Sequence, residues 1–138
     1  MNTNLHLVFD GKCRDAFAFY ENTFNSKIVM TMTYGEAPAG SPVPPDSKDR
    51  VMHTAMRLGS MTLMGCDTPV GVKSPIGGFH ISVDSTDEAE VKRIYAALIE
   101  GGSVQMPLGP TFWSPLFGMC TDKFGVEWMV SIPGPTPS

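Results

Sequence analysis

Basic side chains are in the minority in this chain, ten Lys and Arg against fourteen Asp and Glu, and they are scattered rather than clustered. Sequence-independent nucleic-acid binding draws its affinity from Lys and Arg contacts to phosphate, so a net charge of −4 argues against it. No apolar run approaches the ~20 residues that a membrane-spanning helix requires, and no basic-then-apolar leader is seen. The expected location is therefore the cytoplasm. The cysteines are few and odd in number, Cys13, Cys66 and Cys120, with no C-x-x-C spacing. They read as free thiols in a reducing compartment. Also missing are a G-x-S-x-G elbow, a G-x-G-x-x-G turn and a P-loop. Their absence argues against a serine nucleophile, a Rossmann-type nucleotide or methyl-donor site, and a phosphate cradle.

What is present is apolar surface. Hydrophobic residues make up 42% of the 138 positions and charged ones 17%, the balance of a globular chain that needs no disulfide staples. "NLHLVFDG" alternates around Leu5, Leu7 and Phe9 and reads as a strand. "KCRDAFAFYENTF" places Cys13, Ala16, Phe17, Tyr20 and Phe24 at helical spacing. "SKIVMTMTYGE" is strand-like, and residues 35–50, with four prolines, read as a long mobile loop. "VMHTAMRLGS" and "MTLMGCD" then form two strands around a Gly59-Ser60 turn.

From Gly77 the order repeats. "GFHISVD" is a strand, and "STDEAEVKRIYAALIEGG" is a helix opened by a Ser85–Glu88 capping box and closed by Gly101-Gly102. "SVQMPLG" is a strand, and "PLFGMCTD" with "VEWMVSI" makes a hairpin around Lys123-Phe124-Gly125. The tail "PGPTPS" is expected to fray. Each half is strand, helix and three strands, so the fold class is α+β: two βαβββ modules forming curved mixed sheets with helices on one face. The chain reads as one domain over 1–138, with module one near 3–67 and module two near 76–132.

Three histidines, His6, His53 and His80, fall on separate predicted strands. With Glu36 or Glu127 they could in principle ligate a metal, but strand parity argues against convergence, because His6 alternates against Leu5 and Leu7. His53, between Met52 and Met56, is the best candidate for a polar role, with Glu36 as its partner. Ten methionines suit either a soft core or an adaptable apolar pocket. In "TFWSPLFGMCTDKFGVEWMV", Trp128 and Met129 must face opposite sides of a strand. The less regular start of that stretch supplies Trp113 and Phe117 as a pocket rim.

The stretches "FDGKCRDAFAFY", "MTYGEAP", "VMHTAMRLGS" and "ALIEGGSVQMPLGPTFWSPLFGMCTDKFGVEWMV", in this order, resemble the PhnB-like branch of the glyoxalase/bleomycin-resistance (vicinal oxygen chelate) superfamily. The resemblance spans nearly the whole chain. It implies paired βαβββ modules, usually in a homodimer, with cavities lined by concave sheets. It also implies metal-ligand positions on the first and last strands of both modules. Here those positions hold Leu5, Leu63 or Met64, Gly78 and Met129, to within one residue on the first strand. None binds a hard divalent cation through its side chain, so no metal and no cofactor are expected. Assigning Met129 to the concave side sends Trp128 to the helix-packed core.

The resulting expectation is a binder of a small, partly apolar molecule held by Met32, Glu36, His53, Trp113, Phe117, Met119 and Met129. The alternative is an enzyme, a lyase, isomerase or dioxygenase relative. It would use an unconventional metal set including His6 and His80, or His53 as a general base.

Overall fold

A computed structural model of the chain describes residues 1–135, so the last three residues of the expected frayed tail lie outside the described residues. Two compact units are present, Met1–Ile76 and a second that begins at Gly77. The first contains β1 (Leu5–Phe9), α1 (Cys13–Phe24), β2 (Ile28–Thr33), a short 3-10 turn (Tyr34–Glu36), β3 (Val51–Leu58) and β4 (Met61–Asp67). The second contains β5 (Ile81–Asp84), α2 (Glu88–Ile99), β6 (Ser103–Gly109), β7 (Leu116–Thr121) and β8 (Glu127–Ile132). Their four-stranded sheets run β1-β4-β3-β2 and β5-β8-β7-β6. In each, the first strand lies parallel to the last and the other pairs are antiparallel. The α+β class and the βαβββ repeat are both there.

Strand periodicity decides which face each helix covers. In the first unit Leu7, Phe9, Thr54, Met56, Leu58 and Leu63 are buried, as are Cys13, Ala16, Phe17 and Tyr20 of α1. The helix lies close: a Cβ on Gly65 would sit 2.5 Å from the Phe17 ring. The second unit repeats this with Ile81, Cys120, Trp128 and Val130 beneath Val91, Ile94, Tyr95 and Leu98 of α2. There a Cβ on Gly118 would lie 2.9 Å from Tyr95. Each sheet is thus left with one face that its own helix does not cover.

Two buried carboxylates stitch the units internally. Asp67 accepts from the backbone N–H of Cys13 (3.0 Å) and Val51 (3.1 Å). Asp122 accepts from the N–H of Phe124 (2.8 Å) and Val126 (3.1 Å), and from Trp128 Nε1 (2.9 Å). The second set builds the β7–β8 turn, where Gly125 supplies a φ of 91°.

Several local expectations are corrected. The N-cap of α2 is Asp87, which accepts from the N–H of Ala89 and Glu90, rather than a Ser85–Glu88 box. Ser85 instead receives the Asp87 N–H and donates to Glu90. Asp is as good a cap as Ser, and it stands one position before the helix. β5 begins at Ile81, so His80 precedes the strand. Gly77 and Gly78, with φ of 152° and 80°, keep the chain there from extending.

Residues 35–50 are anchored at their far end: Ser47 is fully buried and accepts from Val70 N–H. Arg50 meets Asp10 at 2.7 Å and donates to the Thr68 carbonyl at 3.0 Å. The start of the tail is packed too, since Gly134 rests so closely on the Trp113 carbonyl that no Cβ fits.

Candidate functional site

On the uncovered face of the first unit, Met32 and His53 are direct cross-strand partners. A second row on that face reads His6–Met64–Ala55–Met30. The His6 and His53 rings stack with centroids 6.0 Å apart and planes 21° from parallel. His53 therefore finds an imidazole beside it rather than the expected Glu36. That carboxylate is exposed and accepts from the Thr33 N–H (3.2 Å) and hydroxyl (2.9 Å). Those bonds hold its pKa below the ordinary glutamate value. Its short side chain closes the 3-10 turn where it stands, so no His53–Glu36 couple forms.

His6 titrates below the usual histidine value, first because burial disfavours its charged form and second because His53 repels it. A folded-state pKa lowered in this way means that the unfolded chain binds more protons just below pH 6.5. Stability should then fall as pH drops through that window and recover as it rises. Thermal melting between pH 7.5 and 5 checks this: His6→Gln should flatten the decline, and an unchanged slope counts against it.

In the second unit Phe117, Met119 and Met129 lie on the uncovered face, with Met119 opposite Met129 and Met106 opposite Met119. Trp113 packs edge-on against Phe117 at 5.3 Å, and Phe112 against Trp113 at 4.7 Å. Phe112 is 96% exposed and Trp113 45%, whereas Trp128 is wholly buried with its N–H on Asp122. Trp128 and Met129 thus face opposite sides, as strand parity requires, and Trp128 is the one in the core, as the resemblance implied.

At one end of this face is a polar chain. His80 Nε2 lies 3.0 Å from Gln105 Oε1, and Gln105 Nε2 donates to Glu127 at 2.9 Å. Gln105 gave no signal in the sequence. It is a lone polar residue on an exposed strand, and a bulge between Val104 and Met106 defeats the parity argument that would place it.

The metal-ligand positions that the resemblance implies can be set against the observed register. Leu5 shares the side of buried Leu7 and Phe9, and Leu63 is wholly buried, so the first pair on the uncovered face is His6 and Met64. Gly78, the position implied on the other first strand, precedes β5 and carries no side chain, and the residue paired with Met129 on the uncovered face is Ser82. One imidazole, two thioethers and a hydroxyl do not fit a hard divalent cation. Among the described residues no three His, Cys, Asp or Glu side chains come together as a ligand set. The thiols are poor nucleophiles as well: burial raises all three, and Cys120 is pushed up to about 11. No helix among the described residues is long and apolar enough to cross a membrane.

Two four-stranded mixed sheets, each with one helix, define a glyoxalase/bleomycin-resistance fold. A glyoxylase/bleomycin resistance protein/dioxygenase domain from Frankia sp. EAN1pec superposes with a TM-score of 0.66 at 10% identity, covering 99% of this chain and 94% of that one. The chain belongs to the family described as 3-demethylubiquinone-9 3-methyltransferase, whose model matches residues 2–131, and within it to the PhnB-like branch. Protein PA1353 from Pseudomonas aeruginosa is 42% identical, with a TM-score of 0.86 over 96% of this chain and 98% of its own. A putative 3-demethylubiquinone-9 3-methyltransferase, PhnB protein, from Bacillus cereus is 28% identical, with a TM-score of 0.80 over 96% and 99%.

Proposed function

We propose that this PhnB-like protein binds a small, partly apolar molecule without a metal, using the uncovered sheet faces. The carrying observation is the row of apolar side chains that the register of the second unit brings together. Met106, Met119 and Met129 adjoin across three strands, with Phe117 on the same side and Trp113 against it. Thioethers adapt to ligand shape, and aromatic edges give contact area at low entropic cost. In the first unit Met32 and His53 offer the same combination of apolar surface and one polar group. Glu36 is no part of this site, because its carboxylate closes the turn at Thr33 rather than pairing with His53.

Methyl transfer is no part of this reading, since the sequence has no Gly-rich strand-to-helix turn for a methyl donor. The reading includes a homodimer, supported by the exposed aromatic edge at Phe112 and Trp113, and a cytoplasmic location, supported by three free cysteines. Titration with a panel of aromatic and quinone-like compounds should shift tryptophan emission, and Trp113→Phe should remove the shift. A panel that leaves both emission and melting temperature unchanged overturns the binding reading.

A further inference from the structure

The His80–Gln105–Glu127 chain has a directional consequence. An ionised carboxylate can only accept, so Glu127 fixes the amide of Gln105 with its NH₂ toward the acid. The amide oxygen then faces His80, and it too can only accept. His80 must therefore carry its proton on Nε2 when the ring is neutral, which leaves Nδ1 as the acceptor. Glu127 alternates with Trp128, which is wholly buried, and so shares the uncovered face with Met129. His80 is thus tied, through Gln105, to a carboxylate on the face that carries Met119 and Met129.

We propose that Glu127 and Gln105 are positioning residues that hold His80 as the Nε2–H imidazole, making Nδ1 the acceptor for the hydroxyl of a phenol-like ligand lying on Met119 and Met129. This names the ligand chemistry within the binding reading above and rests on it. A neutral imidazole acceptor matches a hydroxyl donor attached to an apolar body. It does not match an ether of the same shape, which leaves the acceptor unpaired.

Two measurements on ¹⁵N-histidine protein at pH 8 test the proposal, with His80 assigned by its loss in His80→Gln. Long-range proton–nitrogen correlation should show His80 as the Nε2–H tautomer alone. Gln105→Met should let the minor tautomer appear, and Gln105→Glu, which restores an acceptor, should suppress it again. Titration with phenol should then move the His80 Nδ1 resonance several-fold further than anisole does. An Nδ1–H tautomer in the wild type, no change in Gln105→Met, or equal responses to phenol and anisole each overturn the proposal.

Trp113 emission separates the two levels. A Trp113 response with His80 unmoved removes the subsite alone. A phenol-shifted His80 with Trp113 silent supports the subsite and removes the aromatic rim. Silence at both positions removes both.

Discussion

Asp122→Ala is expected to cost about 3–6 kcal/mol, because two buried donors each lose a charged acceptor worth roughly 1.5–3 kcal/mol. Those donors are the Val126 N–H and the indole N–H of Trp128. The third, on Phe124, lies nearer the surface and can be hydrated, so it adds little. Asp122→Asn is the informative companion. It keeps an oxygen for the two backbone donors but can turn an NH₂ toward the indole, so its loss should be intermediate, about 2 kcal/mol. Urea unfolding with tryptophan emission measures both, since Trp128 reports directly on the bond removed. A loss under ~1 kcal/mol for the alanine variant would show that water replaces the carboxylate.

The second large effect sets neighbouring residues on one strand against each other. Val130 is 1% exposed on the helix-covered side of β8, whereas Met129 is half-buried on the other face. Val130→Asp puts an unpaired carboxylate into the core and should cost about 4 kcal/mol or more, a large fraction of the stability of a domain of this size. Met129→Asp, at a half-buried position, should cost clearly less, about 1–2 kcal/mol. It should nevertheless abolish binding of apolar compounds, because it charges the floor between Met119 and Ser82. Melting curves and emission titrations of the pair read both effects. Equal destabilisation by the two substitutions would mean that Met129 is core, and the binding reading would lose its floor.

This contrast also shows how far the sequence could be read. A period of two puts Trp128 and Met129 on opposite sides of β8, but the resemblance, not the period, assigned Met129 to the uncovered face, and it left Leu63 or Met64 open on β4, which the burial of Leu63 decides. The helices were plain, because Phe17 and Tyr20, and Val91, Ile94 and Tyr95, recur at helical spacing. Pairings that depend on a turn or on side-chain reach were not legible. Glu36 lies close in sequence to the strand that partners His53, but its carboxylate turns back on Thr33 three residues away. His6 and His53 are far apart in the chain and meet because β4, between their strands, sets both registers. Gln105 joins His80 to Glu127 by the length of its side chain, which no periodicity encodes.

The parallel pairing in each unit bears on how the chain is made. Leu5 is matched with Leu63, and Ile81 with Trp128, so the first strand of each unit has no ladder partner until the last strand exists. Contacts of such long sequence separation form slowly, since the loop must close before they contribute. During synthesis Leu7 and Phe9 therefore emerge well ahead of Leu63 and Asp67. Until those residues leave the ribosome, α1 is the available shelter for the apolar side of β1.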